Sequence, residues 1–291
     1  MKILLDTGSS GPGGWSGSSP ILRCPKRYRL QRLGYVEGDR QALIKGSLVH
    51  VALAHYYARL QAVQQSWDPD AYYTPLQAVA LVAEKNGPAW EEHVGLAQKA
   101  ANDYERRMAA YPEYVIAVEQ LVEFEFPRTF GFDMVEGGLA SAIAAELPET
   151  LTHRMRVDLI VQAPDSRFVV RDHKTTSNYK RPTSTPFDLS GQIVGLQWWA
   201  QREYREKYGG VEIGSVGLTN EKIEFLRPKL APNAVAEWPK MRTYIEVLKR
   251  VNRALYGDSL DWPMAMSDQG PCLDRYGPCG FRDPCRMGLA T

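Results

Sequence analysis

The four cysteines of this 291-residue chain are split one against three: Cys24 near the start, then Cys272, Cys279 and Cys285 near the end. Thiolates so distant in sequence share one metal centre only if the fold brings both ends of the chain together. A common centre would therefore constrain everything that lies between. Under reducing conditions disulfides are uncommon and clustered cysteines more often bind metal, with two disulfides as the competing reading. Four thiolates suit zinc or a 4Fe–4S cluster. The C-terminal gaps of six and five residues are wider than the close pairs of a zinc ribbon. Closing a loop of nearly the whole chain would make binding of the centre a folding event as well.

With 44% apolar residues, the chain is long enough for one sizeable core, or for a core with a helical annex. Its 35 basic and 34 acidic side chains give a net charge of +1, so any nucleic-acid surface must be local. No apolar run reaches the length of a membrane span, and Met1 to Leu5 is too short for a secretory core. The expected setting is the cytoplasm of a bacterium or of a phage-infected host.

Residues 1–19 read as a Gly/Ser-rich, flexible lead-in. A helix is expected from Cys24, with Pro25 at its first position. It carries Arg23, Lys26, Arg27, Arg29 and Arg32, which is either a solvated face or a phosphate track. Leu48, Ala52, Tyr56, Leu60 and Val63 recur at helical spacing over 46–65. Thr74, Pro75 and Gln77 form a capping-box pattern that opens another helix, stopped at Gly87, and 88–110 continue helical. Residues 115–126, 156–162 and 167–174 read as strands, the last two joined by a turn at Pro164 to Ser166. Residues 127–150 read as an excursion. A helix over 188–208, a strand near 216–226 and a helix over 235–256 complete an α/β chain.

Asp158 lies in one of these strands and Asp172 and Lys174 in the next, so antiparallel pairing would bring the two carboxylates together. Residues i and i+2 of a strand share a face, so Asp172 and Lys174 project together and His173 points away, leaving its carbonyl for the shared side. Paired carboxylates repel and need a compensating cation, for which oxygen-loving Mg²⁺ or Mn²⁺ is suited. A neighbouring lysine can orient water or stabilise charge developing on a phosphate oxygen. The competing reading is a structural Asp–Lys salt bridge at a strand end.

The arrangement D-x(13)-D-x-K-T-T in strand–turn–strand context resembles the PD-(D/E)XK nuclease superfamily. Gln192 in Ser190-Gly191-Gln192-Ile193 and His50 in Gly46-Ser47-Leu48-Val49-His50 resemble the glutamine and G-x-x-x-H motifs of its RecB-like branch. One cysteine before this core and three after it resemble the iron–sulfur subset of that branch. The subset includes CRISPR-associated exonucleases, AddB-type helicase-nuclease subunits and phage relatives. The other histidines, His55, His93 and His153, match no motif. Leu196 stands where the glutamine motif usually continues to a tyrosine, and either Glu123 or Glu125 lies where the family often has a further acidic residue.

The resemblance implies a restriction-endonuclease-like α/β core, a mixed central sheet flanked by helices, at 115–256. It also implies a helical annex at 20–114 and a cluster-binding segment at 257–291. The implied activity is a divalent-metal-dependent DNA exonuclease acting on single-stranded ends, in recombination, repair, replication or phage DNA processing. Lys174, Asp172, Asp158 and Gln192 would be catalytic, and His50, Asp158, Asp172 and the His173 carbonyl would hold Mg²⁺ or Mn²⁺. Cys24, Cys272, Cys279 and Cys285 would hold a 4Fe–4S cluster. Arg23, Lys26, Arg27 and Arg29 would meet DNA, and aromatic residues such as Tyr179 could stack on bases. The alternatives are a non-catalytic DNA-binding or adaptor subunit of the same fold, and an endonuclease.

Overall fold

The computed structural model describes Cys24 and residues 41–108, 113–127, 150–176, 191–218, 223–230, 273–274 and 277–278. The expected lead-in, the basic helix with Arg23, Lys26, Arg27 and Arg29, the 127–150 excursion, Tyr179, the 235–256 helix and Cys272, Cys279 and Cys285 lie outside these residues. The chain divides into two compact units. The first comprises Met1–Gly8, Gln41–Val122 and Arg156–Lys240; the second comprises Ser9–Arg40, Glu123–Met155 and Met241–Thr291.

In the first unit, helix α1 (Gln41–Gln64) carries the apolar positions read from the sequence, starting five residues earlier than the pattern alone indicated. Helix α2 (Pro75–Asn86) opens on the expected capping box: Thr74 Oγ1 accepts from the Gln77 amide, and the Gln77 side chain accepts from the Thr74 amide. Gly87, with φ of 91°, ends it in a conformation open to glycine. Helices α3 (Pro88–Glu91) and α4 (Val94–Met108) follow. Strands β1 (Tyr114–Pro127, in this unit as far as Val122), β2 (Thr150–Gln162, in this unit from Arg156) and β3 (Phe168–Thr176) come next, then helix α5 (Gly191–Tyr204) and strands β4 (Tyr208–Leu218) and β5 (Ile223–Leu230).

The strands form one mixed sheet in the order β1-β2-β3-β4-β5. β2 and β3 are antiparallel, β3 and β4 parallel, and β4 and β5 antiparallel. Helix α5 packs on β3 and β4, between which it connects, while α1 packs on α2, α4 and β3. The core beneath α1 joins Leu48, Ala52 and Tyr57 to Val79, Ala100, Leu159, Val169 and Val216. In β2 and β3, Leu159, Ile160, Val169 and Val170 are buried on alternating sides, as expected of strands covered on both faces.

Two expectations fail here. The single strand read near 216–226 is two strands, and α5 ends at Tyr204 rather than 208. Two glycines of β4 serve close approach. A Cβ on Gly209 would come within 3.0 Å of the Phe168 carbonyl oxygen, and one on Gly214 within 3.0 Å of His173 Cδ2.

In the second unit, Glu123 and Arg154 form an exposed ion pair at 2.7 Å. Strands β6 (Leu273–Asp274) and β7 (Gly277–Pro278) form an antiparallel ribbon, and Cys24 is buried. Among the described residues no helix is long and apolar enough to cross a membrane.

Candidate active site

The β2–β3 ladder pairs Leu159 with Arg171, and Asp158 and Asp172 are the next residues of the two strands beyond that pair. Strand pairing alone thus brings together the two carboxylates that the sequence placed fourteen positions apart. Asp158 also accepts a hydrogen bond from the His173 amide at 2.8 Å. His50, one turn beyond Gly46 on α1, brings Nδ1 to 3.6 Å from Asp158 Oδ2. Gly46 is needed for that approach, because a Cβ there would lie 2.7 Å from Thr175 Oγ1.

A third carboxylate joins these two, and it is neither of those anticipated. Glu123 is taken up by Arg154, and Glu125 is exposed. Glu119 of β1 instead enters the site: single donor atoms of His50, Glu119 and Asp158 lie within 4.8 Å of one another. Glu119 has φ of 49°, a left-handed conformation that non-glycine residues rarely adopt and that is found at functional sites. Burial in β1 passes from an odd position, Val115, to an even one, Val122, across this kink.

Asp172 and Lys174 share one face of β3, as their spacing required, with Lys174 Nζ 2.7 Å from Asp172 Oδ2. Gln192, in the first turn of α5, spans the pair. Its Oε1 accepts from Lys174 Nζ at 2.9 Å and its Nε2 donates to Asp172 Oδ1 at 2.8 Å. The amide thereby fixes both the lysine and the aspartate. Leu196, at the tyrosine position of the motif, is buried, as is Trp198, with the Arg202 guanidinium 4.9 Å above its ring. His55 is buried and bonded to the Tyr73 carbonyl, and His93 is buried too.

The electrostatics show negative charge in excess of its compensation. Burial, followed by the Asp158 carboxylate and opposed by Arg156, pushes the Glu119 pKa up to about 9. Burial raises that of Asp172 as well; the Lys174 ammonium opposes the shift and Asp158 adds to it. Asp172 Oδ2 is buried and meets the Lys174 ammonium at 2.7 Å. Burial lowers the Lys174 pKa, but Asp172 and Asp158 outweigh it and hold the ammonium charged. Burial, reinforced by His50, Arg171 and Lys174, drives His173 well below the usual histidine range, so its ring is neutral. An imidazole and carboxylates with unmet charge fit a hard divalent cation such as Mg²⁺ or Mn²⁺.

No curated protein matches the chain. Among solved structures, one named "Putative exonuclease" from Eubacterium rectale has 11% identity and a TM-score of 0.44, covering 85% of this chain and 82% of that one. The crystal structure of SSO0001 has 10% identity and a TM-score of 0.30, covering 78% of this chain and 82% of that one. The sequence profile of the PD-(D/E)XK nuclease superfamily matches residues 18–286, a span that holds His50, Glu119, Asp158, Asp172, Lys174 and Gln192. The chain therefore belongs to the PD-(D/E)XK nuclease superfamily.

Proposed function

We propose that this protein is a divalent-metal-dependent deoxyribonuclease, an exonuclease acting on single-stranded DNA ends, of the RecB-like iron–sulfur branch. One observation carries the reading: an imidazole and two carboxylates, His50, Glu119 and Asp158, converge within reach of one cation, beside Asp172 and a lysine that an amide holds in place. His50, Glu119, Asp158 and Asp172, with the His173 carbonyl, would hold Mg²⁺ or Mn²⁺. A cation bound there would neutralise the carboxylates and lower the pKa of water for attack on a phosphodiester. Lys174 places a positive charge beside the same carboxylates, where it stabilises charge developing on a phosphate oxygen and orients the attacking water. Gln192 would hold both residues in place, its carbonyl accepting from the Lys174 ammonium and its amide donating to Asp172.

The second element of the proposal is a 4Fe–4S cluster on Cys24, Cys272, Cys279 and Cys285. Burial of Cys24 supports it, as does the ribbon formed by the residues directly after Cys272 and directly before Cys279. The reading assigns 1–19 to a lead-in, 20–114 to the annex, 115–256 to the nuclease core and 257–291 to the cluster segment. DNA is the expected partner, met by Arg23, Lys26, Arg27 and Arg29, and the cytoplasm the expected setting, in DNA recombination, repair, replication or phage DNA processing. Cys24→Ala is expected to abolish a brown chromophore; a colourless wild type with stoichiometric zinc would sink the cluster.

The test of activity uses 5′- and 3′-labelled linear single-stranded DNA with Mn²⁺, set against circular DNA. Wild type should degrade the linear strand only, and Lys174→Ala should not cleave while still binding Mn²⁺. Undiminished cleavage by Lys174→Ala would remove Lys174 from the mechanism. Cleavage of circles would make the protein an endonuclease.

A further inference from the structure

Arg171 and His173 sit on the face of β3 opposite Lys174, and from them a polar chain runs through the core. Arg171, 2% exposed, is gripped by Glu113 at 2.6 and 2.8 Å and by Glu212 at 2.7 and 3.0 Å. Its Nη1 also donates to the Tyr57 hydroxyl at 3.3 Å. The Tyr57 and Tyr104 hydroxyls are 2.5 Å apart, and the Tyr104 hydroxyl is 3.4 Å from His173 Nε2. On the far side of the same ring, Nδ1 lies 4.0 Å from Asp158 Oδ2. The Tyr57 ring stacks on the imidazole at 28°. Gly214 leaves the necessary room, since a Cβ there would lie 3.0 Å from His173 Cδ2 and 3.3 Å from Arg171 Cδ.

This layer is costly if it serves packing alone. Buried ions and hydroxyls that only fill space can be replaced by apolar side chains at little loss or at a gain. One end of the chain has a fixed direction. Arg171 can only donate, so the Tyr57 oxygen accepts from it. With each hydroxyl donating onward, Tyr57 donates to Tyr104 and Tyr104 to His173 Nε2, which leaves the proton of the neutral ring on Nδ1, facing Asp158. Tyr57 stands two helical turns from His50 on α1, so the chain also ties that helix to the strand of Asp172.

We propose that His173, oriented as the Nδ1–H tautomer by the Tyr57–Tyr104 hydroxyl pair, is a positioning residue that sets the Asp158 carboxylate for a divalent cation. The inference rests on the proposed metal site and goes beyond it, because none of these side chains need touch the ion. Outer partners of this kind typically change metal affinity about 10–100-fold.

The test is Mn²⁺ titration of the full-length protein, with free Mn²⁺ read by electron paramagnetic resonance, together with ¹⁵N spectra of histidine-labelled protein. Wild type should bind Mn²⁺ and show His173 as the Nδ1–H tautomer, its signal assigned by loss in His173→Gln. Tyr104→Phe keeps the ring and removes one hydroxyl; it should weaken Mn²⁺ binding about tenfold or more and shift the tautomer, with kcat recovered at raised Mn²⁺. Tyr57→Phe should act in the same direction and serves if Tyr104→Phe does not fold. A lowered thermal midpoint with unchanged Mn²⁺ affinity would reduce the layer to packing and overturn the inference. A wild type that binds Mn²⁺ but holds His173 as Nε2–H would overturn it too. No Mn²⁺ binding by wild type would instead bring down the metal site, and this inference with it.

Discussion

Glu119→Gln separates a metal ligand from a structural acid, because the two roles predict opposite effects. In the metal-free protein Glu119 has a pKa raised from 4.5 to about 9. Between those values the folded protein keeps a proton that the unfolded chain has released. The group's contribution to stability is therefore fully present below about pH 4.5 and is lost progressively as pH rises toward about 9. Each decade of proton affinity corresponds to about 1.36 kcal/mol, so even a third of this elevation amounts to about 2 kcal/mol. Glutamine is neutral and nearly isosteric, so metal-free Glu119→Gln should match wild type near pH 4 and exceed it increasingly toward pH 8. With Mn²⁺ the order reverses. A ligand at a hundred times its Kd stabilises by about 2.7 kcal/mol, which for a chain of this size corresponds to about 5–10 °C in thermal midpoint. Wild type should show that rise at pH 8, and Glu119→Gln should lose most of it. Thermal melts of the metal-free proteins at pH 4 and 8, and with Mn²⁺ at pH 8, decide the matter. A Mn²⁺-induced rise undiminished in Glu119→Gln, or a metal-free variant less stable than wild type at pH 8, would refute the reasoning.

Gly46→Ala should destabilise, by about 1–3 kcal/mol for an overpacked contact, because the added Cβ meets Thr175 Oγ1 at 2.7 Å. In a Thr175→Ala background the same change should become neutral or stabilising, since alanine is the better helix former by about 1 kcal/mol; chemical denaturation of the four proteins reads the sign. Arg171→Met should cost about 3 kcal/mol or more, because it leaves the Glu113 and Glu212 carboxylates without their cation. Adding Glu113→Gln and Glu212→Gln should recover much of that loss, as measured by the midpoint in urea.

What the sequence made legible was local or periodic. The capping box at Thr74 and Gln77 needs only three residues of spacing, and the facing of Asp158 and Asp172 needs only two strands and a turn between them. Lys174 follows from the period of a strand. Glu119 was hidden because strand alternation counts in twos, and its left-handed φ breaks that count in mid-strand. Composition gives no sign of such a kink, so attention fell on Glu123 and Glu125, beyond it. Gly209 and Gly214 of β4 lie close against Phe168, Arg171 and His173, an approach that no local pattern shows. The Arg171 layer was equally invisible, since Tyr57 of α1, Tyr104 of α4, Glu212 of β4 and Glu113 just before β1 converge on it from distant parts of the chain.

The central claim is that His50, Glu119 and Asp158, with Asp172 beside them, form a divalent-metal centre. Its most direct test is the anomalous scattering map of a crystal grown with Mn²⁺. The account predicts a Mn²⁺ peak bonded to the His50 imidazole and to the Glu119 and Asp158 carboxylates. A protein saturated with Mn²⁺ whose peak lies elsewhere, with Glu119 still turned away from it, would contradict the account.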